Sequence, residues 1–212
     1  MPNKPPTRSV KISEDERRGW SSDRPRRDGA PPRPASISVR CRVLSPSDHV
    51  RYSPGSLLVI VSSSATGRDR FTRGLINDQA SLLSLDKVRA LLAGRVAEEE
   101  VGARSVEILD TAVRNRLEGN ETVVIAANGL GADERERYVR MAARSKRPRH
   151  LILLDTSRDG VHEDDRAALN ELRRRLDAGE LGAEGFQTVL RLGGESLLEL
   201  KRIVFQHPPR DE

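Results

Sequence analysis

A chain of 212 residues suits one domain, or one domain with a tail, and leaves no room for a second large catalytic module. Hydrophobic residues at 36% and charged residues at 33% describe a polar but foldable chain, and with only six aromatic residues the core must be filled by Leu, Val, Ile and Ala. The formal charge of +5 suggests a nucleic-acid footprint. However, residues 1–34 hold 9 Lys/Arg against 5 Asp/Glu and the rest of the chain 28 against 27, so nearly all the excess lies in the N-terminal segment. Cys41 is alone, which excludes an internal disulfide and a cysteine-based metal cluster and suits a reducing compartment. His49, His150, His162 and His207 show no ligand spacing and read as surface or cap residues, so no metal site is expected. No stretch approaches the roughly 18 apolar residues of a membrane span, and the expected location is cytoplasmic.

In chain order, residues 1–35 are rich in Pro, Arg, Ser and Asp and carry the lone Trp20. They read as a disordered basic arm, either a solubilising tail or a surface for a nucleic-acid or protein partner. A domain is expected over 36–206 and a short tail over 207–212. The alternation in 37–44 predicts a half-exposed strand, followed by a turn-rich stretch over 45–56. Leu57, Leu58, Val59, Ile60 and Val61 form a continuous aliphatic run of the kind buried on both faces of a parallel sheet. Small residues follow, then a helix over about 68–77 and a short run at 81–84. A second helix is expected from Lys87, with Asp86 as its N-cap and Gly94 at its stop. Apolar residues at helical spacing between 97 and 117 predict a long amphipathic helix. A strand over 122–126, a helix over 132–145, a strand over 151–154, a helix over 163–177, a strand over 187–190 and a closing helix over 195–204 complete the chain. This alternation predicts a mainly parallel α/β sheet with helices on both faces and ligands at the carboxyl ends of its strands.

A phosphate-binding loop of the Walker A type needs Gly, four residues, Gly, Lys and then Ser or Thr. Its backbone N–H groups cradle phosphate, its Lys bridges the terminal phosphates and its hydroxyl holds Mg²⁺. Ser62, Gly67, Arg68 and Asp69 stand at those four positions, so one of the four matches. Taken alone, 62–70 reads rather as a tight strand-to-helix turn.

With its surroundings, the chain resembles the kinase domain of bacterial polynucleotide kinase-phosphatases, and more broadly the P-loop kinase-like ATPases, over about residues 57–192. The resemblance runs through Leu57 to Phe71, Ser84-Leu85-Asp86, Val88-Arg89-Ala90-Leu91-Leu92, Glu107-Ile108-Leu109, Arg116-Leu117, the strand near Val123 and Glu184-Gly185-Phe186-Gln187-Thr188-Val189. It implies a P-loop NTPase-like three-layer sandwich with a nucleotide site formed by Ser62, Ser63, Ser64, Ala65, Thr66, Gly67, Arg68, Asp69 and Arg70. It also implies ATP with Mg²⁺ as the ligand, weakly bound if at all, with Asp86 as the carboxylate that takes the acceptor hydroxyl's proton. Of the arginines that the family's lid brings to the phosphates, only Arg158 and Arg166 remain, in a short and acidic stretch. Where the family carries Asp-Ala-Thr-Asn, this chain has Ala126-Ala127-Asn128-Gly129. Asp155 ends a strand that imitates Walker B but reads as a cap or turn residue.

Asp69 is expected in the first turn of the loop's helix, where phosphate would sit. Two like charges about 4 Å apart repel by roughly 4 kcal/mol at an effective dielectric near 20, about a thousandfold in affinity. A resident anion at that position would stabilise the helix without ligand. The expected function is therefore a degenerate P-loop kinase-like protein with weak or absent phosphotransfer, acting as a binding module. One alternative is an active ATP-dependent kinase of a polynucleotide 5′-hydroxyl or a small hydroxyl substrate. The other is an interaction protein without nucleotide, using the basic residues Arg135, Arg137, Arg140, Arg144, Lys146, Arg147 and Arg149.

Overall fold

The computed structural model describes residues 37–155 and 161–207. The N-terminal arm and Arg158 lie outside them. The chain order is β1 (Arg42–Leu44), β2 (His49–Tyr52), β3 (Leu57–Ser62), α1 (Ala65–Leu75), β4 (Leu82–Ser84), α2 (Leu85–Leu92), α3 (Glu98–Glu118), β5 (Val123–Ala126), α4 (Ala132–Arg144), β6 (Arg149–Asp155), α5 (Glu163–Asp177), a 3-10 turn (Glu180–Gly182), β7 (Thr188–Gly193), α6 (Glu195–Glu199) and β8 (Arg202–Phe205).

Six strands form one sheet in the order β1-β7-β6-β3-β5-β4, and every pairing in it is parallel. Strand β3 lies between β5 and β6, with Leu57 opposite Val123 on one side and Arg149 on the other. Every residue of β3 is buried, as a strand covered on both faces requires. Fully burying one such aliphatic side chain is worth about 1.5–3 kcal/mol.

Alternation along the strands sorts the core into two halves. Leu57, Val59 and Val61, with Val123, Ile125, Leu151 and Leu153, face the layer of α3, α4 and α5. Leu58 and Ile60, with Val124, Ile152, Leu190 and Leu192, face Phe71 and Ile76 of the α1 region and Val50, Tyr52 and Ile203. The second face is thus covered by one helix and by a two-stranded parallel sheet of β2 and β8, in register from His49–Arg202 to Tyr52–Phe205.

That small sheet corrects two sequence expectations. The stretch 45–56 contains a strand whose residues alternate exposed and buried, and the closing helix over 195–204 stops at Glu199. Leu200 and Ile203 are buried, and Ile203 also bridges to Ile76. The pairing surface offered by β2 overrides the helical spacing of 195–204 because it satisfies the backbone while burying Ile203. The strand expected over 37–44 shortens to β1. The segment before it is tied by Val39 N–H, which donates to Gly182 O at 2.9 Å. A Cβ on Gly182 would run into the Val39 carbonyl oxygen and lie 3.0 Å from Cys41 N. Gly182→Ala is expected to lower stability by about 1–3 kcal/mol, read from the urea midpoint.

Among the described residues no helix is long and apolar enough to cross a membrane.

Candidate functional site

The chain leaves β3 for β4 and β5 on one side, then crosses to β6 and β7 on the other. The carboxyl end of β3 is therefore the switch point where such sheets bind ligands. Only Ser63 and Ser64 separate β3 from α1. Ser62 Oγ accepts the N–H of Ser64 at 3.1 Å, and Ser64 Oγ caps α1 by accepting the N–H of Gly67 at 3.1 Å. The Arg68 N–H bonds Ser64 O at 2.9 Å, an ordinary helical bond. Ala65, Thr66 and Gly67 thus form the exposed first turn of the helix, and Arg70 is exposed in the next.

The start of α1 at Ala65 corrects the expected start near Arg68, and with it the position of Asp69. Asp69 lies in the second turn, away from the uncompensated N–H groups, so it does not stand in for phosphate at the helix end. Its backbone carbonyl accepts from Thr72 Oγ1 and Arg73 Nε.

Arg68 is the centre of the arrangement. Its side chain is 2% exposed. Nη1 donates to the backbone oxygen of Ala127, the residue after β5. Nη2 lies 3.4 Å from Asp69 Oδ1 and 3.5 Å from Asp86 Oδ2. Nε is buried without a hydrogen-bond partner among the described residues.

Asp86 is not the N-cap of α2. Ser84 takes that role, its Oγ accepting from Lys87 N at 3.2 Å. Asp86 sits in the first turn, where the helix dipole favours a carboxylate, and Arg89 Nη1 lies 3.5 Å from its Oδ1. The Asp86 side chain is 58% exposed. The structure therefore joins Arg68, Asp69 and Asp86. Arg166 is an exposed residue of α5 with no ion pair to this group among the described residues.

Sequence reasoning missed Glu134 as part of this region. It stands three residues beyond Gly131, the N-cap of α4, and reaches back to accept the Asn128 N–H at 3.0 Å. Burial pushes its carboxyl above the usual range, while the Asn128 amide and the charges of Arg137 and Arg68 pull it down. The legible signal was an acid in the first turn of a helix that follows a strand and a glycine-rich loop. One buried guanidinium thus lies within 3.5 Å of the carboxylates of Asp69 and Asp86, an environment unfavourable to a further anion.

Asp155, read from sequence as a cap or turn residue, lies in a pair of ion bridges. Arg173 Nε donates to Oδ1 at 2.8 Å and Arg191 Nε to Oδ2 at 2.8 Å, leaving the carboxylate 13% exposed. Among the described residues no group of three or more His, Cys, Asp or Glu is arranged to hold a metal ion.

The basic residues between 135 and 149 do not share one face. Arg135 is buried against Glu184, Arg137 pairs with Asp110 and Arg140 with Glu136. Arg147 donates to Leu117 O, and Arg149 is buried on β6 with Nε bonded to Gly185 O. His150 likewise departs from the surface reading: it is buried, stacked on Tyr52 with ring centroids 4.3 Å apart.

Against known families, the model of the family described as an AAA domain matches residues 57–178, more than half of the chain. Among solved structures, that of a candidate kinase from Chloroflexus aurantiacus is similar at 17% identity. The match covers 67% of this chain and 86% of that one, with a TM-score of 0.45. No curated protein matches the chain.

Proposed function

The chain belongs to the AAA domain family and has a P-loop kinase-like α/β fold, and from the burial of Arg68 at its phosphate loop we propose that it is a binding module whose phosphotransfer is weak or absent. Nucleotide with Mg²⁺ is the general ligand of such domains, and its fit can be tested on the loop. A phosphate cradle needs backbone N–H groups aimed at an open space. Here those of Gly67 and Arg68 are bonded to Ser64, and the loop before the helix is two residues long. The cation that should reach the terminal phosphates is folded inward onto Ala127 O and Asp86. In this arrangement the residues do not fit a magnesium nucleotide, and no transfer step follows from them.

The observation that carries the reading is the burial of Arg68. An arginine keeps the charge of the lysine it replaces, but its planar fork is suited to the several oxygens it meets here. Releasing it would leave the Ala127 carbonyl without this donor and Asp86 without one of its two arginines. The second reading, an active kinase of a 5′-hydroxyl or small hydroxyl acceptor, draws support from Asp86, an exposed carboxylate at the carboxyl edge of the sheet.

Calorimetry of Mg-ATP, beside transfer of labelled γ-phosphate to 5′-hydroxyl DNA and RNA, separates the two. The expected result is affinity weaker than micromolar and no transfer, with at least a tenfold gain in binding for the double change Arg68→Lys with Asp69→Ser. Transfer that disappears in Asp86→Asn establishes the kinase instead, while micromolar affinity without transfer overturns the closed phosphate loop and leaves a nucleotide-binding module.

A further inference from the structure

Between Asp86 and Ile108 only Ser105 is buried among the described residues. This stretch is the hairpin of α2 and α3, turned by an elbow over residues 93–97 in which Gly94 takes a left-handed φ of +72°. Five of the eight residues of α2 are apolar, Leu85, Val88, Ala90, Leu91 and Leu92, yet Leu85 alone is buried. A helix of eight residues falls well short of the roughly 12–15 that hold without packing, so α2 depends on what covers it. Its own chain supplies α3 and β4. That leaves Leu91 62% exposed and Ile108 of α3 44% exposed, two of the four large hydrophobic residues exposed among the described residues. Between the two helices lies an unfilled groove of about 660 Å³ walled by Ala90, Ala93, Val96 and Val101. An exposed apolar surface rimmed by charge is the mark of a protein contact.

The rim charges select the partner. Glu98 and Glu99 stand at the elbow end, in the first turn of α3, while Lys87 and Arg89 stand toward the start of α2. Lys87, Arg95, Glu98 and Glu99 have no ion pair among the described residues, and Arg89 has a single exposed one, at 3.5 Å from Asp86. Arg89 and Glu98 both line the groove, one from each helix, without pairing to each other. A nucleic acid would meet Glu98, Glu99 and Glu100 together. A second copy of the hairpin, turned about a two-fold axis near Leu91, runs in the reverse direction. It brings Lys87 and Arg89 to the acidic end of the first copy and its own Glu98 and Glu99 to the basic end, so every opposite-charge match is made twice.

We propose that the α2–α3 hairpin is the interface of a two-fold homodimer, with Leu91 at its centre and Arg89 of each copy paired with Glu98 of the other. The interface stands whether or not the phosphate loop takes a nucleotide, since none of these residues belongs to 62–70.

The test is sedimentation equilibrium of the full chain between about 1 and 200 µM, which spans the dissociation constants of small to standard interfaces. The unmodified chain is expected to pass from monomer to dimer mass within that range. Leu91→Asp, at an exposed position, is expected to weaken association at least about tenfold with an unchanged circular dichroism spectrum. Glu98→Arg and Arg89→Glu each set like charges against one another at both ends of the interface, and each variant alone is expected to stay monomeric. An equimolar mixture of the two restores an opposite pair at both ends and is expected to dimerise. No folding defect in either variant is repaired by mixing, so this readout belongs to the contact between copies. The proposal is overturned if the unmodified chain stays monomeric throughout, if Leu91→Asp leaves its association unchanged, or if the mixture associates no better than the two variants alone.

Discussion

Glu184→Ala is expected to lower the unfolding free energy by about 3–5 kcal/mol, measured by urea denaturation at neutral pH. Glu184 is 4% exposed and Arg135 3%. Two parallel bonds of 3.0 Å join them, Arg135 Nε to Oε2 and Nη2 to Oε1, and Arg175 Nη1 adds a third to Oε1 at 2.6 Å. Removing the carboxylate leaves a buried guanidinium whose remaining acceptors are the carbonyls of Leu130 and Gly131. The penalty is that of an uncompensated buried charge, not the net worth of the pair, since taking both ions out of water already offsets much of their attraction. Replacing both partners, Arg135→Met with Glu184→Leu, is therefore expected to cost less than half as much as the single change. A single-change loss below about 1 kcal/mol would show the pair to be solvated in solution. Because total stability of a domain is about 5–15 kcal/mol, the expected loss is a large share of it.

Lowering the pH from 7 to 4 is expected to remove about 3 kcal/mol through His150 alone. The ring is buried between β2 and the main sheet, stacked on Tyr52, with Nδ1 2.8 Å from Thr188 Oγ1 and Nε2 without a partner among the described residues. Burial first, and then the neighbouring charge of Arg149, hold its pKa down to about 4. The folded pKa lies below the unfolded value near 6.5. Between those values the unfolded chain binds a proton that the folded chain refuses, and stability falls as pH falls through this window. Well above pH 6.5 neither state carries the proton and the contribution is constant. Burial raises the carboxyls of Glu134 and Asp110, which works in the opposite direction in acid. The informative quantity is therefore the difference between wild type and His150→Phe, which keeps a ring against Tyr52 and removes the titration. A wild-type curve parallel to that of His150→Phe between pH 4 and 6.5 would rule the mechanism out.

What the sequence disclosed follows the strength of its local signals. The aliphatic runs at β3, β5 and β6 could be read because strands buried on both faces leave no room for polar alternation, and α5 has the bounds expected of it. Strands β2 and β8 were hidden because each is only four residues long and is stabilised by a partner about 150 positions away. The early start of α1 was locally encoded in Ser64, a strong N-capping residue, but the phosphate-loop spacing drew attention to Gly67 and Arg68 instead. Asp86 and Arg68 could each be singled out from the motifs. Their pairing could not, because it depends on β4 and β5 bringing α2 beside α1. Burial of Arg135, Arg149 and His150 was likewise invisible, since a charged or polar side chain goes inside only where a distant partner waits for it.

The parallel pairing of β2 with β8 also sets an order of assembly. Val50 and Tyr52 are among the first residues of the described fold to be synthesised, while Ile203 and Phe205 are among its last. Until β8 has emerged, β2 has no strand to pair with, and Phe71, Ile76 and Tyr52 lack Ile203 and Phe205 as neighbours. The face carrying α3, α4 and α5 draws on residues up to Val189 and can consolidate earlier. The face of α1 is thus completed last in chain order, when β8 supplies Ile203 beside Phe71 and Ile76.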